Sequence, residues 1–275
     1  MELDFVQWTV IGVLLILPIL YELSSTFKYY AKFTLYVTIV MICSLFTIPI
    51  AALRPRDVRN HRYPAWCIKH IIKPLFSIAV EVRGAEHLKS DTSYIIVCNH
   101  QSSLDLIGMM EIFPERCATL AKKELLYAGP LGLGLWLIGT IFIDRLNNEK
   151  ARGTLEKTAN LIKDKHLKVW VFPEGTRNAG GSFLPFKKGA FHLAIQGQVP
   201  VVPVVMSSYS EFYNKKQKKF GTGKFIITVL PKISTEGLTA ENVGDLTEHV
   251  RKQMLDVYNE TSLESAQAKL SNGVK

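Results

Sequence analysis

The sequence of 275 residues is poor in cysteine and has no pair of the kind that binds zinc or forms a redox centre. Its four cysteines, Cys43, Cys67, Cys98 and Cys117, form no CxxC pair and have no histidine at metal-ligand spacing. We therefore expect reduced thiols, no disulfide framework and no metal site. This cysteine usage is typical of a domain that faces the cytosol.

Acidic residues are also few, since 24 Asp and Glu stand against 33 Lys and Arg and the net charge is +9. A basic protein favours anionic partners such as nucleic acids, acidic lipid surfaces or polyphosphate metabolites. The sequence has no helix-turn-helix pattern, no zinc-finger spacing and no aromatic RNA-binding motif. Lipids and nucleotide-like ligands are therefore the expected partners, and nucleic acid is not.

The N-terminus lacks the positive charge that begins a secretory signal, because its first charged residues are Glu2 and Asp4. Two apolar runs follow at 6–23 and 33–53, with 18 and 21 residues. As helices they would be about 27 and 32 Å long, close to the hydrocarbon thickness of a bilayer. They predict membrane-anchoring helices within residues 1–53.

Positive charge around these runs predicts their orientation. Four arginines follow the second run within residues 54–62, while Lys28 and Lys32 lie between the runs. The positive-inside rule then places the N-terminus and the following domain in the cytosol. Pro18 and Pro49 leave a second arrangement open, in which the runs form a hairpin within one leaflet.

The rest of the chain alternates strand-like and helix-like stretches. Strands are predicted at 94–98, 141–143, 169–172, 201–206 and 225–230, and helices at 104–113, 148–165, 188–196 and 246–259. This alternation predicts an α/β domain over residues 54–262, with a largely parallel central sheet flanked by helices. The polar segment 263–275 is predicted to be a flexible tail.

The apolar stretch 125–139 does not fit this alternation. It contains Pro130 and four glycines, and it is short for a membrane span. We expect a loop of the core, and the alternative is a surface in the membrane interface near a lipid substrate.

A histidine and an aspartate follow the first predicted strand. The stretch NHQSSLD, residues 99–105, places Asp105 five residues after His100. Residues five apart do not share a helix face, but they can meet across a strand–turn–helix junction. The carboxylate would then fix the imidazole tautomer and make the other ring nitrogen a general base at neutral pH. The alternative is a loop histidine capped by an aspartate, without chemistry.

A second polar turn follows the strand predicted at 169–172. The stretch VFPEGTR, residues 171–177, combines Gly175, which permits a tight turn, with Arg177. The planar guanidinium of an arginine suits a phosphate group. The alternative is an ordinary turn with a solvated arginine.

Further cations follow other predicted elements. The stretch GTIFIDR, residues 139–145, delivers Arg145 at a strand end. The stretch PFKKGA, residues 185–190, places Lys187 and Lys188 at a helix start, where anions bind well.

These side chains are expected to converge, because ligands gather at the carboxyl ends of strands in α/β sheets. His100, Arg145 and residues 174–177 all lie just past such ends. The pattern suits proton abstraction beside a bound phosphate. Cys98 precedes His100 by two residues, so a thiol–histidine acyl shuttle is an alternative; a buried strand cysteine is the simpler interpretation.

Six stretches between roughly residues 94 and 210 make the chain resemble a known family. They are NHQSSLDLIGMM, AKKELLYAGP, GTIFIDR, VFPEGTRN, PFKKGAFHLA and VPVVPVVMSSY, in the family's order. Each stretch alone is weak, and together they are highly specific. The chain resembles the glycerolipid acyltransferases marked by an HxxxxD motif, and more narrowly the 1-acylglycerol-3-phosphate acyltransferases of the animal endoplasmic reticulum.

This resemblance implies a role for each site residue. It makes His100 the base and Asp105 its partner. The glycerol phosphate is then held by Glu174, Gly175, Thr176 and Arg177, with Arg145 assisting. Lys122, Lys123, Lys187 and Lys188 are further candidates for that anion site.

The resemblance also implies the substrates and the location. It names acyl-CoA as co-substrate, lysophosphatidic acid as acceptor and phosphatidic acid as product, with membrane lipids as partners, no cofactor and no metal. The location implied is the endoplasmic reticulum membrane. Another lysophospholipid, glycerol-3-phosphate or dihydroxyacetone phosphate stays open as acceptor, and so does a membrane scaffold without catalysis.

Overall fold

Two long apolar helices open the computed structural model, which describes residues 4–272. Helix α1 spans Phe5–Leu23 and helix α2 spans Ser25–Ala52. Asp4 and Ser24 cap their first turns through side-chain hydrogen bonds. Each helix is long and apolar enough to cross a membrane.

Seven strands of the described residues form the central sheet, in the order β1-β9-β6-β2-β5-β3-β4. The strands are β1 (Ile78–Arg83), β2 (Ile95–Cys98), β3 (Cys117–Lys122), β4 (Ile141–Ile143), β5 (Lys168–Val171), β6 (Val201–Met206) and β9 (Gly223–Val229). Strands β7 (Tyr213–Asn214) and β8 (Lys219–Phe220) form a separate hairpin. All pairings in the large sheet are parallel except that of β6 with β9. The prediction of a largely parallel sheet flanked by helices is confirmed.

Further helices cover the sheet. They are α3 (Arg62–Cys67), α4 (Lys73–Leu75), α5 (Asp105–Ile112), α6 (Gly129–Leu137), α7 (Asn148–Lys165), α8 (Gly189–Gly197) and α9 (Val243–Asn272). A π-helical turn, Ile68–Ile72, joins α3 to α4.

Alternate residues of β2 show that helices lie on both faces of the sheet. Ile96 and Cys98 belong to the core layer that contains α2 and α5, whereas Ile95 and Val97 belong to the layer of α7, α8 and α9. All four are fully buried, as expected of a central parallel strand. The strands β6, β2, β5, β3 and β4 run in one direction, so their carboxyl ends share one edge.

The prediction of a core loop at 125–139 is wrong, because this stretch contains helix α6. Helix α6 packs against α2, and a Cβ atom on Gly134 would lie 3.8 Å from the Cβ of Ser44. Glycine therefore serves close packing of two helices here, which outweighs its low intrinsic helix propensity.

The flexible tail predicted from residue 263 is corrected in the same way, since α9 continues to Asn272. Two contacts hold its extension to the sheet side of the protein. Glu264 forms an ion pair with Arg83 at 2.5 Å, and the hydroxyls of Ser265 and Ser207 lie 3.1 Å apart. Polar contacts of this kind leave no hydrophobic periodicity in the sequence.

Asn60 fastens the end of α2 to α6. Its buried side-chain nitrogen donates to the carbonyl oxygens of Ala51, Arg54 and Leu137 at 3.2, 2.7 and 3.1 Å. A buried carbonyl that loses its donor costs free energy, so this amide stabilises the junction.

We expect Asn60→Ala to lower the free energy of unfolding by about 1–3 kcal/mol, because the carbonyls lose their donor. The measurement is the thermal midpoint of the detergent-purified protein. Asn259→Ala, at an exposed position of α9, is the matched control. An unchanged midpoint in Asn60→Ala would contradict the role of this amide.

Candidate active site

The loop after β2 brings His100 and Asp105 into contact. His100 Nδ1 lies 2.7 Å from Asp105 Oδ2, because Asp105 opens α5 directly after the loop. The Asp105 side chain is 1% exposed and that of His100 is 20% exposed. The carboxylate is therefore inside the protein while the imidazole reaches the surface.

Four donors surround the Asp105 carboxylate. Besides His100, the backbone nitrogens of Gln101 and Ser102 donate to Oδ2 at 2.7 and 3.0 Å. The Tyr209 hydroxyl donates to Oδ1. A buried carboxylate requires such partners, and together they fix its position.

This environment determines the tautomer of His100. An ionised carboxylate only accepts hydrogen bonds, so Nδ1 carries the proton and Nε2 carries the lone pair. Within residues 4–272, Nε2 has no hydrogen-bond partner in the protein. The ring also stacks on Phe172, with centroids 4.2 Å apart. The imidazole is thus oriented with a basic nitrogen free to meet a hydroxyl group.

Tyr209 was not singled out from the sequence, although it ends the stretch VPVVPVVMSSY. It follows β6, is buried, and contacts both Asp105 Oδ1 and the Ser102 hydroxyl, the latter at 2.8 Å. Burial raises the pKa of the Tyr209 phenol, so it stays protonated and donates. A tyrosine near a strand end is usually a packing residue, and only its spatial neighbours identify this one.

The structure gives Glu174 a different role from the predicted phosphate contact. It is buried, and its two oxygens accept backbone hydrogen bonds from His100 N at 2.8 Å and Leu184 N at 3.0 Å. Burial raises the pKa of the Glu174 carboxyl, and these donors oppose that shift. Glu174 therefore joins the loops after β2 and β5, because a carboxylate occupied by amides is no anion receptor.

Gly175 lies at the centre of the second turn. Its φ of +71° is a conformation that favours glycine, and a Cβ atom there would lie 2.7 Å from Lys187 Cε. Its carbonyl oxygen accepts a hydrogen bond from Arg145 Nη1. Arg145 and Lys187 thus meet at this turn.

Thr176 and Arg177 are exposed beside it. Burial raises the pKa of the Tyr213 phenol, and the nearby charge of Arg177 counteracts this shift. Arg177 directly precedes Asn178, whose backbone nitrogen donates to His100 O at 2.7 Å. It therefore lies at the same edge of the sheet as His100.

The remaining lysines of the predicted anion site, Lys122, Lys123 and Lys188, contact other residues than the turn at Gly175. Lys188 Nζ lies 3.7 Å from where a Cβ of Gly244 would be, at the start of α9. Lys122 is exposed at the end of β3, and Lys123 is 3.4 Å from Asp144. These three lysines are not shown to contact His100, Arg145 or the Gly175 turn, so their part in anion binding stays a prediction.

The thiol of Cys98 is buried in the sheet, and burial raises its pKa. A thiolate acyl carrier is therefore disfavoured at this position. In the described part of the chain the four cysteines are free, and no three His, Cys, Asp or Glu side chains are grouped as metal ligands would be.

Comparisons with known proteins agree with this geometry. The family model described as Acyltransferase matches residues 79–207, which contain the His100 loop. The chain is 48% identical to 1-acyl-sn-glycerol-3-phosphate acyltransferase alpha of Homo sapiens, over 90% of this chain and 87% of that protein. It is 42% identical to the human beta protein, over 88% and 87% of the two chains. The crystal structure of the 1-acyl-sn-glycerophosphate (LPA) acyltransferase PlsC from Thermotoga maritima superposes with a TM-score of 0.61 at 25% identity, over 84% and 94% of the chains.

The largely parallel sheet with a carboxylate-oriented histidine at its open edge, together with the family model, defines an α/β acyltransferase. The sequence identity to the two human proteins assigns the chain to one family within this class. The chain belongs to the 1-acyl-sn-glycerol-3-phosphate acyltransferase family.

We expect His100→Ala to lower the rate of acyl transfer by at least about 100-fold, because the general base is lost. The rate is measured on the purified protein, and its thermal midpoint shows that it is folded. His249→Ala, exposed on α9, is the control and should keep its activity. Retained activity in His100→Ala would refute the assignment of the base.

Tyr209→Phe should lower kcat by roughly tenfold with little change in KM, since a hydrogen bond to a charged group contributes about 1.5–3 kcal/mol. Tyr94→Phe is the control, because it removes an equally buried hydroxyl, bonded to Leu88 O, near the other end of β2. Steady-state kinetics separate the two variants. Equal kcat losses in both would show that Tyr209 acts through stability alone.

Proposed function

We propose that the protein transfers a fatty acyl chain from acyl-CoA to the sn-2 hydroxyl of 1-acyl-sn-glycerol-3-phosphate, forming phosphatidic acid. The observation that carries this proposal is the 2.7 Å contact of His100 Nδ1 with Asp105, which leaves Nε2 as a base. The names of these relatives supply the acceptor. The acyl-CoA donor is part of the proposal and rests on the resemblance.

The proposed reaction needs no covalent acyl-enzyme, because a thioester is already activated. His100 Nε2 takes the proton of the sn-2 hydroxyl while that oxygen attacks the thioester carbonyl. The C–S bond then breaks, and the CoA thiolate recovers the proton from the imidazolium, which Asp105 stabilises meanwhile. General-base catalysis contributes about 10²–10⁴-fold, and positioning of both substrates up to about 7–11 kcal/mol.

The acceptor phosphate is assigned to the cations of the second turn. Arg177 is exposed, Arg145 is held against the Gly175 carbonyl, and Lys187 reaches the same turn. A guanidinium group can donate two parallel hydrogen bonds to two oxygens of one phosphate, which also orients the glycerol. Glu174 supports this site indirectly by fixing the turn beside His100.

The contacts of α2 with the α/β domain limit how this helix can be arranged in the membrane. Tyr36 donates to Ser103 O at 2.9 Å, and the end of α2 is held through Asn60, which donates to Ala51 O at 3.2 Å. A helix fastened to one domain along its length keeps both its ends on one side of the bilayer. We therefore place α1 and α2 as a hairpin within one leaflet, the second arrangement that the sequence left open.

The proposed location is the endoplasmic reticulum membrane, with the α/β domain in the cytosol. The cluster of arginines after α2 favours the cytosolic side. The four reduced cysteines agree with a reducing compartment.

Acceptors other than lysophosphatidic acid are the principal alternative, because all need a base and an anion site. We expect the purified protein, assayed with radiolabelled oleoyl-CoA, to acylate 1-acyl-sn-glycerol-3-phosphate faster than glycerol-3-phosphate or lysophosphatidylcholine. Faster transfer to glycerol-3-phosphate would overturn the proposed acceptor. Absence of transfer to every acceptor would favour a catalytically silent scaffold.

Arg177→Ala is expected to raise the KM for lysophosphatidic acid about tenfold or more, because a charge-assisted contact with the phosphate is lost. The KM for acyl-CoA should change little. Arg152→Ala, exposed on α7, is the control. Equal changes in both KM values would contradict a phosphate role for Arg177.

A further inference from the structure

The hairpin of β7 and β8 carries a cluster of positive charge. We call residues 213–220 the lysine hairpin. Its lysines are Lys215, Lys216, Lys218 and Lys219. The first two are exposed and the other two are half-buried. The alternative for such a run is a solvated loop, so the surroundings of the lysines decide their role.

The lysine hairpin is fixed beside the first turns of α2. Its end residues Tyr213 and Phe220 are buried in the core. Lys218 Nζ lies 5.0 Å from the ring centre of Tyr30, and Lys32 Nζ of α2 lies 6.0 Å from that of Phe220. Because both strands and the aromatic contacts hold it, the hairpin presents its charges at a fixed place.

That place adjoins the apolar surface of the N-terminal helices. Helix α1 has no buried residue, and near the α1–α2 junction Leu23 is 82% exposed and Tyr30 is 50% exposed. The acidic residues nearby are few: Glu22 is paired with Lys28 at 3.1 Å, and Glu211 precedes the hairpin. An exposed apolar surface bordered by lysines is typical of a protein face that lies at a bilayer surface.

We propose that the lysine hairpin binds the anionic headgroups of the bilayer in which α1 and α2 lie. This inference rests on the proposed membrane attachment. It adds that the surface formed by the lysine hairpin favours lipids with anionic headgroups. Lysines near a membrane surface each strengthen attachment to anionic lipid by roughly fivefold, and salt weakens this attraction.

The same contact would set the height of the active site above the bilayer. The Tyr213 hydroxyl lies 3.4 Å from that of Tyr29 in α2, and Tyr36 of the same helix binds Ser103 of the His100 loop. The headgroup contact and the catalytic loop are therefore joined through one helix. An anionic lysophospholipid at the bilayer surface would then lie at the level of the cations beside His100.

The test uses the full-length protein reconstituted into vesicles of phosphatidylcholine, with or without 30 mol% phosphatidylglycerol. A fluorophore is attached at Gln217→Cys, between the exposed lysines and Lys218, and headgroup-linked nitroxide lipids quench it. The native cysteines are buried, so the label goes to the exposed position. We expect at least about twofold stronger quenching with phosphatidylglycerol, and loss of this gain in high salt.

The variant Lys215→Glu with Lys216→Glu should abolish the gain, because both side chains are exposed and their charge is reversed. Lys157→Glu with Lys165→Glu, exposed on α7, is the matched control and should keep it. The proposal would be overturned if phosphatidylglycerol does not increase the quenching, or if the increase is the same in the charge-reversal variant.

Two further measurements separate other outcomes. Acyl transfer to lysophosphatidic acid in neutral detergent micelles tests the proposed function by itself, and we expect the hairpin variant to keep it. A raised KM for acyl-CoA in that variant, with unchanged quenching, would assign the lysines to the CoA phosphates and overturn the headgroup contact.

Discussion

The buried carboxylate of Asp105 is the interaction on which the site depends. An ion inside a protein must be compensated, and here the compensation comes from three directions. The loop supplies backbone amides, the segment after β6 supplies the Tyr209 hydroxyl, and His100 supplies its Nδ1 proton. The requirement to satisfy one charge therefore fixes the loop, the neighbouring strand end and the imidazole tautomer together.

The neighbouring turns are joined to this centre by backbone hydrogen bonds. Glu174 accepts a hydrogen bond from His100 N, and Asn178 N donates to His100 O at 2.7 Å, so the loop after β5 holds His100 through both of its backbone polar groups. Asn99 exchanges hydrogen bonds of 2.9 and 2.8 Å with the backbone of Met206. Such rigidity holds the proposed base and the neighbouring cations in place before a substrate arrives, which is how positioning lowers a barrier.

The sequence predicts the strands that are apolar along most of their length and misses those in which apolar residues are interrupted. Strand β6 was predicted with its observed bounds because a central strand is apolar on both faces. Strands β1 and β3 were missed, since IAVEVR and CATLAK interleave charged or small residues. The His100–Asp105 pair was predictable because its partners are local in the chain, whereas Tyr209 meets Asp105 across 104 residues. The hydrogen bonds from backbone amides to Glu174 were likewise not predictable, because one donor, His100 N, is 74 residues away in the sequence.

Helix α2 links the proposed membrane attachment to the loop that carries His100. Its outward surface is apolar, but Tyr29 and Tyr36 on its other side are buried against the domain. Removing the helix to obtain a more soluble protein would expose that aromatic layer and take away the hydroxyl that binds Ser103 O. The carbonyl belongs to the loop that carries Asp105, so the loss would reach the base through its support. A helix that looks from sequence like an anchor is, by its contacts, also a support of the His100 loop.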